Sequence, residues 1–317
     1  MIGEQIAKNL IEKYNPKHVL FCPYKEEMWD SMQTIYEAFK KTDIHTEIMP
    51  IAYYSLNNGR FFDIHIEFPD YASNFPMMLK RDKYNRQDSV WDLIIYHYPY
   101  DNLNNVTRPL LYSNELKAFC KRLVLVGYAC VGGRLPVKQE VSYSGVRNSD
   151  LVIYETEPQA EEARKLLNGQ PNWNGECVGW GSAKYDMIEK AEIPDEWKKK
   201  AEGKRVVLLQ SSIVPYLQDK NKVSQIEHII KSYANNPKVC LIWRPHPLYI
   251  DTIISRPPRG DLRRFADLQE FVKKSPKDIY DDTKTPETAI KFADEMISDP
   301  SSLVILWKTT GKKLTMI

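Results

Sequence analysis

The sequence predicts an α/β protein of two Rossmann-like α/β/α domains with parallel sheets, and three observations carry that prediction. Short apolar runs alternate with helical patterns from end to end. Within those runs successive positions stay apolar, the pattern of strands buried on both faces in a sheet covered by helices. The length, 317 residues, suggests about two domains at roughly 150 residues each.

In chain order, GEQIAKNLIEKY scatters charge through its apolar positions and reads as an amphipathic helix, not a leader peptide. VLFCPY (19–24) is a first strand, MWDSMQTIYEAFKK a helix, and TEIMPIAYY (46–54) a second strand. LIIYHYPY (93–100), LVLVGYACV (123–131) and LVIYETE (151–157) are further strands. The helix PQAEEARKLL follows, with Pro158 near its first turn, and CVGWGSAKYDMI returns toward a loop. EIPDEWKKKAEGKR (192–205), charged and punctuated by Pro194 and Gly203, is the candidate boundary, giving domains 1–192 and 193–317. Behind it the rhythm restarts. VVLLQSS (206–212) is a strand entering a loop, VSQIEHIIKSYANN (223–236) an amphipathic helix, and VCLIWRPHP (239–247) a strand entering another loop. LRRFADLQEFVKK (262–274) is an amphipathic helix, basic at both ends, that reads as a solvated face or a membrane-surface contact. TPETAIKFAD (285–294) is a short helix with Thr285 as N-cap and Pro286 at its first position. EMISDPSSLVILWKTTGKKLTMI reads as strand, Ser-rich turn, helix, turn and strand, and the alternation predicts a further helix after LTMI.

Forty-four Lys and Arg against 42 Asp and Glu leave a net charge of +2, too little for bulk attraction to nucleic acid or anionic lipid. Five Cys without a CxxC pair, mostly inside apolar runs, read as buried free thiols of a cytoplasmic protein. No apolar run approaches the ~18 residues of a membrane span. GxxxxGKS, GxGxxG, HExxH and GxSxG are absent, and no spaced Cys and His set suggests a metal. Neither a cofactor nor a metal is expected.

Four segments carry chemistry-bearing residues. In DPSSLVILWKTTGKKL (299–314), Asp299, Ser301 and Ser302 stand at the start of an apolar helix, where hydroxyls and free N–H groups bind an anion or simply cap the helix. RPHP (244–247) puts Arg244 and His246 on a loop leaving a parallel strand, either as phosphate ligands or as a His packed beside Trp243. HYPYDNLNNVT (97–107) brings His97 and Asp101 close, as a carboxylate-oriented base or as a polar capping turn. Gly132 and Gly133 in VGGR form a weak phosphate-loop match or an ordinary turn. Ser211, ending VVLLQSS, joins the substrate-binding set.

Taken in order, FCPYKEEMWDSM, MPIAYY, YHYPYDNLNNVT, SNELKAFCKRLVLVGY, WRPHP and DPSSLVILWKTTGKKL resemble the CDP-glycerol glycerophosphotransferase family, the polymerases and primases of teichoic-acid-like polymers. The resemblance spans nearly the whole chain. It implies a glycosyltransferase B-type fold, two Rossmann-like domains across a cleft, with the nucleotide held mainly by the C-terminal one. It places the family's HP motif on Pro245, His246 and Pro247, and its Asp-x-Ser-Ser segment on Asp299, Pro300, Ser301 and Ser302, as holders of a CDP-alcohol pyrophosphate. The family's N-terminal HG motif has no match, its place being taken by GYACVGGR, and position alone transfers the base role to His97 with Asp101 behind it.

The function so implied is transfer of a phospho-alcohol unit from a CDP-alcohol to the hydroxyl of a polyol-phosphate, lipid-linked or glycan acceptor, with CMP leaving. A membrane-linked acceptor would add peripheral contact at the inner face of the membrane. Two alternatives share the phosphate-binding shell: a glycosyltransferase using a nucleotide sugar, and a non-catalytic nucleotide-binding member of the fold.

Overall fold

The computed structural model describes residues 1–57, 60–74, 91–103, 107, 109–128, 136–171, 173–219, 221–246, 249–254, 261–283, 285–301 and 303–317. Gly132, Gly133, Pro247, Ser302 and Cys130 lie outside them. The chain forms two compact units, Met1–Met187 and Ile188–Ile317.

The first unit contains β1 (His18–Cys22), β2 (His45–Ile48), β3 (Tyr53–Asn57), β4 (Arg60–His65), β5 (Trp91–Tyr96), β6 (Cys120–Val126), β7 (Leu151–Ile153) and β8 (Glu176–Val178). Six of them make a parallel sheet in the order β2-β1-β5-β6-β7-β8. Leu20, Cys22, Ile94, Tyr96, Leu123 and Leu125 pack on one face, while Val19, Phe21, Leu93, Ile95 and Val124 pack on the other. That two-sided burial explains the unbroken apolar runs. The helix Ile2–Tyr14 covers one face, and its first amides are closed from far along the chain: Asp186 accepts from Ile2 N at 2.8 Å, Gly3 N at 2.7 Å and Thr34 Oγ1 at 2.8 Å. Glycine is required at position 3, since a Cβ there would lie 2.0 Å from Thr34 Oγ1.

The second unit contains β9 (Arg205–Ser211), β10 (Val239–Pro245), β11 (Ile279–Tyr280), β12 (Glu295–Ser298) and β13 (Lys313–Met316), all parallel in the order β11-β10-β9-β12-β13. The chain winds outward from β9 through β10 to β11, then crosses to β12 and β13. This is the doubly wound order, with its switch point between β9 and β12. Val207, Leu209, Leu241 and Trp243 fill one face of this sheet, and Leu208, Cys240, Ile242 and Met296 are equally buried on the other.

Several local expectations are corrected. TEIMPIAYY is two elements: β2 ends at Ile48 before Pro50, and Tyr53 opens an antiparallel hairpin with β4. CVGWGSAKYDMI is not a loop throughout, since it contributes β8 and the helix Lys184–Lys190. MWDSMQTIYEAFKK splits into a 3₁₀ turn, Glu26–Ser31, and the α-helix Gln33–Lys40. The helix expected from Thr285 runs Glu287–Phe292 with Pro286 at the cap; the Thr285 carbonyl instead accepts from Thr283 Oγ1 at 2.9 Å. Cys22, Cys120, Cys177 and Cys240 are free and buried.

Candidate functional site

The carboxyl ends of strands flanking a switch point are where open α/β sheets take their ligands. In the second unit β9 delivers Gln210, Ser211 and Ser212 there, and β12 delivers Ser298, Asp299 and Ser301. Gln210 bridges the two strand ends: its Oε1 lies 2.7 Å from Ser298 Oγ and 3.2 Å from Ser301 Oγ, and its Nε2 lies 3.2 Å from Ser212 Oγ. Asp299 is fully buried; one carboxylate oxygen accepts from Ser212 N at 2.8 Å and the other is ion-paired with Lys222, itself 3% exposed. Asp299 thus ties the exit of β12 to the exit of β9 and to the helix Lys222–Ala234. Both its oxygens are engaged in that tie, which holds the turn that carries Ser301.

β10 ends in the same region. His246 donates its backbone N–H to Ser211 O at 2.9 Å, and Trp243 Nε1 reaches Ser211 Oγ at 3.4 Å. Ser211 is therefore fully buried beneath His246, which stays partly exposed. Arg244 does not offer the free guanidinium fork that the sequence suggests. It donates to Asp281 Oδ2 at 2.7 Å, to Thr283 Oγ1 at 2.9 Å and to Thr283 O at 3.0 Å, inside the protein. Its work is to fasten the turn after β11.

In the first unit the switch point lies between β1 and β5, and His97 spans it. The imidazole is fully buried; its Nε2 accepts from Tyr24 N at 2.8 Å and its Nδ1 lies 2.9 Å from Ser31 Oγ. Ser31 Oγ donates to Met28 O at 2.8 Å, so Nδ1 carries the proton and both ring nitrogens are engaged. Burial, aided by the nearby Lys184 charge, pushes the His97 pKa down to about 3. Asp101 does not orient it. Its backbone sits at φ 43°, and its carboxylate accepts from Ser113 N at 2.8 Å and from Ser113 Oγ. The paired base expected from HYPYD is thus two separate structural anchors, because Tyr24 and Ser31 engage His97 while Ser113 engages Asp101.

No protein-family model and no curated protein matches the chain. Solved structures do. S. aureus MnaA with UDP shares 13% identity and a TM-score of 0.55, the match covering 94% of this chain and 78% of that one. Methanocaldococcus jannaschii UDP-GlcNAc 2-epimerase with UDP-GlcNAc and UDP gives 13% and 0.54 over 94% and 83%. The wall teichoic acid polymerase TagF gives 11% and 0.52 over 98% and 73%. The fold is glycosyltransferase B-type.

Within this GT-B chain, several site residues carry no signal that sequence reasoning used. Gln210 is one polar residue in an apolar strand, and Lys222 precedes an apolar helical stripe without belonging to it. The carboxyl edge of the first unit holds a third group, a ladder of tyrosines. Tyr24 and Tyr98 stack at 4.1 Å, Tyr98 meets Tyr100 edge-on at 5.0 Å, and Tyr100 meets Tyr143 at 4.8 Å. Tyr100 and Tyr128 share a hydroxyl hydrogen bond of 2.9 Å. Beside them Glu140 is 6% exposed and its Oε2 has no hydrogen-bond partner. Burial, with the Glu155 charge second, pushes its pKa up to about 8. Among the described residues no three His, Cys, Asp or Glu converge as a metal site, and no helix is long and apolar enough to cross a membrane.

Proposed function

We propose that this chain is a nucleotide-dependent transferase that moves a phospho-alcohol unit from a CDP-alcohol to an acceptor hydroxyl and releases CMP. The observation that carries the reading is the convergence of Gln210, Ser212, Ser298, Ser301 and His246 on the switch-point edge of the second unit. That edge suits a pyrophosphate: His246 supplies a proton-bearing donor, Ser301 a hydroxyl donor, and Asp299 with Lys222 keeps the turn rigid. The ordered motifs of the sequence and the fold shared with TagF support the phospho-alcohol donor. In the reaction the acceptor oxygen attacks the β-phosphorus in line. The bond from that phosphorus to the oxygen bridging to CMP breaks, CMP departs with the electron pair, and the acceptor hydroxyl's proton passes to solvent. His97 does not serve as base in this scheme, because both its nitrogens are engaged and its proton affinity is low.

A second reading keeps the edge and changes the bond attacked. The structural neighbours solved with UDP or UDP-GlcNAc favour a nucleotide-sugar donor, with attack at the anomeric carbon. Calorimetric titration with CDP-glycerol, CDP-ribitol, CMP and UDP-sugars separates the two. Selective cytidine binding, weakened about tenfold or more in His246→Ala and Ser301→Ala, is the expected result. Selective UDP-sugar binding lost in the same variants selects the second reading, and absence of any nucleotide binding overturns both.

A further inference from the structure

Four side chains at the carboxyl edge of the second unit share a fixed number of protons, and that number decides which way the edge is polarised. Gln210, Ser212 and Ser298 are buried, so their polar atoms must satisfy one another. Ser298 Oγ stands 2.6 Å from Asp299 O and 2.7 Å from the Oε1 end of the Gln210 amide. A hydroxyl has one proton, so with an oxygen at that end one of these two close pairs has none. Ser301 Oγ lies 3.2 Å from the same end, and Ser212 Oγ lies 3.2 Å from the other. The two ends of a glutamine amide have the same shape and differ only in their protons, so the neighbours determine its orientation. With the nitrogen toward β12 every contact is satisfied. The amide then donates one proton to Ser298 Oγ and one to Ser301 Oγ, Ser298 donates to Asp299 O, and Ser212 donates to the amide oxygen. One proton is left over, on Ser301, whose side chain is partly exposed.

We propose that Gln210 is a positioning residue that sets the polarity of the donor edge: its amide nitrogen faces Ser298 and Ser301, which frees the Ser301 hydroxyl proton for the ligand. Held the other way, the amide oxygen draws the Ser301 proton inward and the edge turns a lone pair outward. The first arrangement suits a ligand that only accepts, as phosphoryl oxygens do, and the second repels it. Gln210 is itself buried and acts through Ser301. The consequence for binding rests on the nucleotide-donor reading above, whereas the orientation of the amide stands on the proton count alone.

Nuclear Overhauser contacts in the ligand-free full chain test the orientation. The Gln210 amide protons should contact the β-protons of Ser298 and Ser301; contacts to Ser212 alone would overturn the proposal. Calorimetry with CDP-glycerol tests the consequence. Gln210→Met, which keeps the length and removes the amide, should weaken binding about fivefold. The same substitution in a Ser301→Ala background should change little further, because the hydroxyl it acts through is gone. Equal losses in both backgrounds, or no loss with Ser301 present, would overturn the positioning role. The Overhauser measurement needs no variant, so it decides the orientation even where Gln210→Met does not fold. Absence of CDP-glycerol binding by the unaltered chain would overturn the donor reading and the positioning role with it, and the orientation of the amide would still be decided by its own contacts.

Discussion

At His97 and Glu140 burial acts on two titrations in opposite senses. The His97 pKa falls from 6.5 to about 3, so between those values the unfolded chain holds the extra proton and the fold loses stability as pH falls. The Glu140 pKa rises from 4.5 to about 8, so the fold holds the extra proton and loses stability as pH rises through that interval. Each effect approaches ~1.4 kcal/mol per pH unit inside its window. Between 4.5 and 6.5 the two slopes oppose and cancel, so Tm measured from about pH 3 to 9 should be level there, fall towards acid below it and fall towards alkali above it up to about 8. His97→Gln should flatten the acid limb and Glu140→Gln the alkaline one; unchanged slopes in both variants would refute the two assignments. HYPYD was legible as a strand end carrying chemistry-bearing residues. The partners were not, because Tyr24, Ser31 and Ser113 come from elsewhere in the chain and no spacing rule points to them.

The legible elements were those whose burial leaves a pattern. β1, β5, β6, β9 and β10 are apolar runs because both their faces are covered, whereas the β3–β4 hairpin mixes polar residues into a short antiparallel pair. β8 is three residues long and opens on the exposed Glu176, so it shows no apolar run, whereas the equally short β7 is apolar throughout. Lys222 illustrates a contact between elements that periodicity hides: a charged residue at a helix start reads as solvated, yet it ends in a buried ion pair with Asp299. Removing one partner leaves an uncompensated buried charge, at a cost of ~3–5 kcal/mol. Lys222→Met is thus expected to lower the chemical-denaturation midpoint strongly. The double variant with Asp299→Asn should recover much of the loss; equal midpoints for the two would contradict the pairing.

On the scale of the whole molecule, two doubly wound sheets repeat one rule, with apolar faces inside and polar side chains gathered at the carboxyl edge. The fold class followed from that rhythm; Ser211, His246, Asp299 and Ser301 at the carboxyl edge of the second unit stand in its motifs, whereas Gln210 and Lys222 do not, being single polar residues beside apolar runs. Gly132, Gly133 and Ser302 lie outside the described residues. Saturating CDP-glycerol should slow hydrogen exchange around 210–213, 244–246 and 298–301. Protection by CDP-glycerol confined to the first unit would overturn the donor assignment.

The cap on the first helix has a consequence for synthesis. Ile2 and Asp186 are 184 positions apart, so the carboxylate that closes the helix emerges long after the amides it serves. At ~5–20 residues per second that interval is about ten to forty seconds. During it the helix end must satisfy its amides with water, and its docking becomes a late event in the assembly of the first unit. A nascent chain shorter than 186 residues therefore presents an unlatched amphipathic helix, a surface for chaperones while translation continues.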